Sequence, residues 1–239
     1  MSQTKVAILG NLNEAYEPHY MMNKSFSDFQ EKLDFSFDWM PTETLATNNV
    51  DILKGFSGIV AGSGPYKSKE GVINGIRFAR KNNIPFFGTC SGFGCAVLEF
   101  GQYIFNLPAV YHPYENTELQ PNEIFLQTLN LCGVGMRTIS FKPVKGTLTA
   151  RIYNNEPVVK EESHCMYGVN LAMIKVFEKE GLIVSGMDKE KEPKIMEYIA
   201  NDFFVITLFL PQLKSNIQTP HPLLSAFFEA VKIKNPVSS

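Results

Sequence analysis

Short apolar runs alternate with amphipathic stretches along the first hundred positions. Lys5–Leu9 predicts a buried strand, and Gly10-Asn11-Leu12-Asn13 a turn after it. Tyr20–Leu33 has a helical period. Phe35–Trp39 predicts a second strand, and Gly58–Ala61 a third that ends at Gly62-Ser63-Gly64-Pro65. Lys69–Asn82 puts Val72, Ile73, Ile76, Phe78 and Ala79 on one side of a helix. A strand over Pro85–Gly88 then leads into Cys90 and a further helix. This alternation predicts an α/β fold built on a doubly wound, mostly parallel sheet, flavodoxin-like in class.

The second half follows a different pattern. From about Gly101 to Gly135 no period is clear, and Pro108, Pro113 and Pro121 predict loops and short helices. Arg137–Phe141, Leu148–Tyr153, Leu182–Ser185, Ile195–Ile199 and Phe203–Leu208 read as strands, with a small antiparallel extension among them. Ala172–Glu180 and Pro222–Lys232 read as helices, and Asn235–Ser239 as a frayed tail. No internal repeat or long polar linker divides the chain, so a single domain over 1–239 is expected.

Composition narrows the function classes. The chain is 44% hydrophobic and 19% charged, enough to bury a large core, and its net charge of -2 provides no footprint for nucleic acid. Cys90, Cys95, Cys132 and Cys165 form no C-x-x-C pair and no zinc-ligand spacing, so neither a metal nor another cofactor is expected. The first strand begins almost at the N-terminus, without a signal peptide, and no apolar stretch reaches bilayer length. The expectation is a soluble, reduced, cytoplasmic protein without a membrane partner.

The candidate chemistry centres on Cys90. It sits in Gly88-Thr89-Cys90-Ser91-Gly92 between a strand-like and a helix-like run. Small residues on both sides permit a tight strand-to-helix turn that exposes the thiol, and a helix starting just after it favours the thiolate.

Ala79-Arg80-Lys81-Asn82-Asn83-Ile84-Pro85-Phe86-Phe87-Gly88-Thr89-Cys90-Ser91-Gly92 resembles the A-R-x-x-x-I-P-x-x-G-I-C-L-G segment of the glutaminase domain of CTP synthase, a class I (triad-type) glutamine amidotransferase. Val60–Gly64, Gly135-Met136-Arg137, Tyr167–Asn170, Gly181–Gly186 and Pro220-His221-Pro222-Leu223 resemble further segments of that family, in family order. The resemblance implies a Cys nucleophile that forms a thioester with the side-chain amide of glutamine. It also implies a His that shuttles the proton, a Glu that orients the His, and backbone N–H groups that hold the oxyanion. Cys90 matches the nucleophile. Gly62, Ser63, Gly64 and the N–H of Ser91 match the oxyanion region.

The resemblance breaks at several places. The family's F-H-P-E segment is Phe209-Leu210-Pro211-Gln212 here, so Leu210 stands for the His and Gln212 for the Glu. The family's C-L-G-M-Q becomes Cys90-Ser91-Gly92-Phe93-Gly94, which removes an amide that contacts substrate. The family's E-R-H-R-H-R-Y becomes Glu161-Glu162-Ser163-His164-Cys165-Met166-Tyr167. No Arg remains there to pair a substrate carboxylate, and the two acids predict a different ligand or none. Glu115 matches the family's substrate-binding acid if a one-residue gap is allowed. The sequence has no G-x-x-x-x-G-K-[ST] phosphate loop, so a separate synthetase partner is expected for any synthase reaction.

Replacement groups are open. His164 is a candidate base or binding group, against an ordinary loop histidine, and His112 is a weaker one. Glu17 or Glu14 follows the first strand beside His19, at the same sheet edge as Cys90, where some PfpI-like relatives place an acid; the plain alternative is a helix N-terminal charge. His221 reads as structural, and Cys95 and Cys132 as packing residues; Cys165 is a candidate redox partner for Cys90. Two functions stand: a stand-alone glutaminase-like protein performing Cys-dependent acyl transfer or hydrolysis on glutamine or a related small amide with a non-standard base, or a non-catalytic binding or regulatory protein. A redox sensor built on Cys90 is a third.

Overall fold

Residues 4–47, 49–103, 126–128 and 135–234 are described by the computed structural model. Five parallel strands form one half of a sheet: β1 (Thr4–Leu9), β2 (Phe35–Met40), β3 (Gly58–Ala61), β4 (Phe86–Thr89) and β11 (Phe204–Thr207), in the order β2-β1-β3-β4-β11. The sheet continues antiparallel through β10 (Pro193–Tyr198), β9 (Leu182–Met187), β6 (Arg137–Pro143) and β7 (Val159–Ser163), giving nine strands. The doubly wound α/β reading therefore holds, with an antiparallel wing of four strands.

The inner parallel strands β3, β4 and β11 and the last four residues of β1 are fully buried because both faces are covered, while edge strand β2 keeps Ser36 and Asp38. Period-two alternation sends Val6, Ile8, Val60, Phe87 and Val205 to one face, against α1 (Glu17–Gln30) and α7 (Pro222–Ile233). It sends Ala7, Leu9, Ile59, Ala61, Phe86 and Ile206 to the other, against α3 (Lys69–Lys81) and α4 (Ser91–Tyr103). The two crossover helices on that face are joined by a buried ion pair. Glu99 of α4 is fully buried and accepts two hydrogen bonds from Arg80 of α3, at 2.9 and 2.7 Å. A two-point guanidinium–carboxylate contact fixes orientation as well as distance.

Several expectations need correction. Leu148–Tyr153 is not a strand. Leu148–Ile152 forms helix α5, because the Thr147 hydroxyl caps it by accepting from Ala150 N–H (3.2 Å), and both Glu197 carboxylate oxygens receive Leu148 N–H (3.1 Å each). Edge strand β7 was not expected, since Val-Lys-Glu-Glu-Ser is mostly polar. Most of the region from Gly101 to Gly135 lies outside the described residues. Within it, Leu126–Thr128 forms β5, a strand rather than a loop, paired antiparallel with β8 (Tyr167–Val169). Helix α2 (Thr42–Ala46) was also not foreseen, and Ala172–Glu180 resolves into a 3-10 turn (Leu171–Met173) and α6 (Ile174–Lys179).

Helices α2 and α3 meet through Gly71, where an added Cβ would lie 1.8 Å from the Thr42 carbonyl oxygen. Backbone cannot swing aside as a side chain can. The Gly71→Ala protein should lose about 2–3 kcal/mol, lowering the melting temperature by roughly 5–10 °C. Circular dichroism melts would measure this, and an unchanged midpoint would contradict the close approach.

Candidate functional site

The parallel strands β1, β3, β4 and β11 end at the same edge of the sheet, and the loops after them converge there. Cys90 follows β4 directly and precedes the first residue of α4. Its φ of +52° is in the left-handed region, an unfavourable conformation for a residue with a Cβ. Two backbone bonds hold the turn: Cys90 N–H donates to the Thr207 carbonyl (2.9 Å), and Gly94 N–H donates to the Cys90 carbonyl (3.3 Å). Gly92 lets α4 approach β3, since a Cβ there would sit 2.1 Å from the Ala61 carbonyl oxygen. The expected elbow is present.

Cys90 opens into a cavity of about 300 Å³, lined also by Tyr16, Gly64, Ser91, His164, Cys165 and Met166. The thiols of Cys90 and Cys165 share the wall of this cavity, and Cys165 Sγ–H donates to the Tyr167 carbonyl at 3.5 Å. The neighbouring Cys165 side chain is the main cause that lowers the Cys90 pKa, to about 7; burial opposes it, and the Ser63 hydroxyl and the Ser91 N–H and hydroxyl add to it. The Cys90 side chain in turn pushes Cys165 well above an ordinary thiol, helped by burial and by the charge on Cys90. One sulfur of the pair therefore ionises while the other keeps its proton. Tyr16 is raised by burial and by the nearby Cys90 charge, so its phenol remains a proton donor.

The loop after β3 is aimed by groups behind it. His19 is buried, and its Nδ1 accepts from Asn13 N–H at 3.1 Å. Its Nε2–H therefore donates to the Ser63 carbonyl, 2.8 Å away. Tyr66 hydroxyl donates to the Gly62 carbonyl. In a trans peptide the next N–H points opposite to the carbonyl, so the Ser63–His19 bond turns Gly64 N–H away from His19. Burial lowers the His19 pKa, which keeps the ring neutral.

Of the residues expected from sequence, Cys90, Gly64, Ser91 and His164 meet at the cavity, with Gly62 and Ser63 just behind it. His164 Nε2 is buried without a hydrogen-bond partner. Glu17 is exposed in the first turn of α1 and does not line the cavity, and Glu14 is also exposed. The helix N-terminus accounts for Glu17, and Tyr16 reaches the cavity instead. Glu115, His112 and Cys132 lie outside the described residues. Cys95 is buried in α4, as a packing residue should be.

The two acids before His164 do not face the cavity. Successive residues of β7 point to opposite sides. Glu161 is buried, accepting from Tyr153 hydroxyl and His221 Nε2 (both 2.9 Å), with Lys214 Nζ 3.6 Å away. Burial opposes its ionisation, but His221, Lys214 and Tyr153 together hold its carboxyl below the usual range. Glu162 accepts from the Thr138 hydroxyl at 2.8 Å. His221 is structural, its Nδ1 accepting from Leu223 N–H (3.2 Å) at the start of α7.

Leu210 and Gln212 are both fully buried. Leu210 N–H donates to the Glu162 carbonyl at 2.8 Å, tying the segment after β11 to β7. The Gln212 side-chain oxygen and nitrogen have no hydrogen-bond partner, although its backbone carbonyl receives the Ser25 hydroxyl at 3.1 Å. Tyr16 and Met166 were missed as cavity residues. The position of Tyr16 in the β1–α1 loop was the available signal; for Met166 it was adjacency to Cys165.

Residues 21–228 match the family described as Glutamine amidotransferase class-I, and the chain belongs to that family. It is 29% identical to a CTP synthase of Thermococcus kodakarensis over 243 residues, covering 96% of this chain and 45% of that protein. It is 32% identical to a CTP synthase of Pyrococcus horikoshii over 207 residues, covering 81% of this chain and 38% of that one. The chain thus spans less than half the length of these curated relatives. Among solved structures, the glutaminase domain of Trypanosoma brucei CTPS with bound acivicin superposes with a TM-score of 0.87 at 21% identity, over 97% of this chain and 95% of that one. Among the described residues, no cluster of three or more His, Cys, Asp or Glu could hold a metal, and no helix is long and apolar enough to cross a membrane.

Two outcomes follow from this geometry. Alkylation of Cys90 should rise with pH around a midpoint near 7. In Cys165→Ala the midpoint should move up toward about 8.5, the ordinary thiol value; an unmoved midpoint would remove Cys165 from this role. Separately, Gln212→Met should stabilise the chain by about 1 kcal/mol, since it removes an unsatisfied buried amide at similar volume. A urea midpoint that falls instead would mean the amide is bonded.

Proposed function

We propose that this chain is a CTP synthase glutaminase-like protein in which Cys90 attacks the carbonyl of a small, uncharged amide without the family's His–Glu pair. The observation that carries the reading is the pair of free thiols on one cavity wall: the Cys165 side chain lowers the Cys90 pKa to about 7, which favours a thiolate nucleophile without a histidine. Leu210 and Gln212 stand at the family's His and Glu positions. Leucine has no group to take a proton.

In this reading the Cys90 thiolate forms a bond to the carbonyl carbon. The oxyanion is received by Ser91 N–H at the start of α4, with Gly64 N–H lining the same cavity. The C–N bond breaks as the Cys165 thiol gives its proton to the leaving amine, leaving a Cys90 thioester. Water then attacks the thioester, and its proton returns to Cys165 or passes to His164 Nε2. His164 is the one histidine on the cavity wall among the described residues. No Asp, Glu, Lys or Arg is on the described lining. The segment 161–167 carries no Arg to pair a substrate carboxylate, which supports an uncharged amide over glutamine. A separate synthetase-type partner and a reducing, cytoplasmic compartment belong to the same proposal.

The burial of Leu210 and Gln212 supports a second reading, a binding or regulatory protein on this fold. A panel of small carboxamides, with glutamine included, separates the two by ammonia release. The expected result is turnover of uncharged amides that falls at least about a hundredfold in Cys90→Ala, with glutamine a poorer substrate. Equal turnover by Cys90→Ala would sink the acyl-transfer reading. Saturable binding without turnover would favour the second.

A further inference from the structure

We propose that Cys90 and Cys165 form a two-cysteine redox centre that reduces a hydroperoxide, with Cys90 as the attacking sulfur and Cys165 as the resolving one. Both are free thiols on the wall of one cavity, where each shifts the ionisation of the other, and the Cys165 thiol donates to the Tyr167 carbonyl at 3.5 Å. The two sulfurs differ in the way such a pair requires. Cys90 is ionised near neutral pH and so can attack, while Cys165 holds its proton until a leaving group needs it. The acyl reading uses Cys165 only as a proton donor and never calls on its sulfur as a nucleophile.

Their anchoring also differs. Cys90 is fixed in the elbow by its N–H bond to the Thr207 carbonyl at 2.9 Å. Cys165 lies in the three residues, 164–166, that link β7 to β8 outside regular structure. Its N–H is held by the Ser163 hydroxyl at 3.1 Å, and its carbonyl receives the Arg137 guanidinium. Closing to a disulfide bond length of about 2 Å therefore asks for movement of a side chain on a link, not of a strand. Cys95 is buried in α4 and is not on the cavity wall.

The chemistry balances as follows. The Cys90 thiolate attacks one oxygen of the hydroperoxide. The S–O bond forms as the O–O bond breaks; sulfur loses two electrons and the departing oxygen leaves as hydroxide or alkoxide, taking a proton. Cys90 is then a sulfenic acid. Cys165 sulfur attacks it: the S–S bond forms, the S–O bond breaks, and the Cys165 proton leaves with the hydroxyl as water. A dithiol reductant restores both thiols by exchange. This step requires the Cys90 thiolate but no amide chemistry, so either activity can fail while the other stands.

The test uses the full chain, fully reduced, with hydrogen peroxide as the probe. At pH 7 Cys90 should be consumed about threefold faster than free cysteine: its thiolate fraction is about fifteenfold larger, and its lower basicity takes back roughly fivefold. The expected product is two hydrogens lighter, with a disulfide mapped to Cys90 and Cys165 by non-reducing digestion, formed at a rate independent of protein concentration. In Cys165→Ala, and in Cys165→Ser if that variant folds better, the disulfide should be lost and a dimedone-trappable sulfenic acid should accumulate on Cys90. The proposal is overturned if no Cys90–Cys165 disulfide forms, if the bond maps to another cysteine, or if the Cys165 variants leave the same product as the parent chain.

Discussion

The hydrogen bond from Cys90 N–H to the Thr207 carbonyl holds the site to the sheet. It extends the β4–β11 pairing one residue past the strand end, into a residue whose φ of +52° has no local reason to persist. The strain is offset by what surrounds it: sheet on two sides, α4 starting at the next residue, and Gly92 giving the helix room against β3. Once the elbow is fixed, the sulfur has one place to go, the cavity into which the loops after β1, β3 and β7 also project. The buried Arg80–Glu99 pair matters here too, because it sets how α4 lies against α3 and so where the elbow helix begins.

Around that anchor, the ionisation of the site is governed by neighbours rather than by a dedicated base. Two thiols share one proton, and hydroxyl and amide donors from Ser63 and Ser91 favour its loss from Cys90. Burial works against the charge but does not win. The two acids near the site point elsewhere, Glu161 into a buried cluster with His221 and Tyr153, and Glu162 to Thr138 on the neighbouring strand, while the Arg137 guanidinium holds the Cys165 carbonyl. What remains at the cavity is polarisable sulfur, aromatic surface and a few neutral donors.

The parallel half of this fold is legible in the sequence because its strands are short, apolar and punctuated by glycine, and because helices with a clear apolar side separate them. Cys90 is legible for the same reason, since the elbow needs small residues at set offsets. The antiparallel wing is harder to read. Val159–Ser163 is an edge strand whose polar residues carry no alternation strong enough to see, and Leu148–Ile152 imitates a strand until the Thr147 cap and the distant Glu197 carboxylate are known. The partners of Cys90 are less legible still. Tyr16 comes from the β1–α1 loop and His164 and Cys165 from the link between β7 and β8, and which of several nearby polar residues turns inward depends on strand register. Glu17 was a reasonable candidate by position, and the geometry of α1 leaves it exposed and off the cavity wall.

The imidazole of His19 has one nitrogen accepting from a backbone amide and the other donating to a backbone carbonyl. That pairing exists for a single tautomer of the uncharged ring. Adding a proton would set two N–H groups face to face at Asn13, inside a pocket closed by Trp39 and Tyr16 with ring centroids 4.6 and 5.1 Å away. His19 is thus an acid-labile latch between the β1–α1 loop and the β3 loop. Charging it would release the peptide that orients Gly64 and the segment that carries Tyr16, so the cavity would lose its shape only below the ordinary imidazole range, after Cys90 had already taken up its proton.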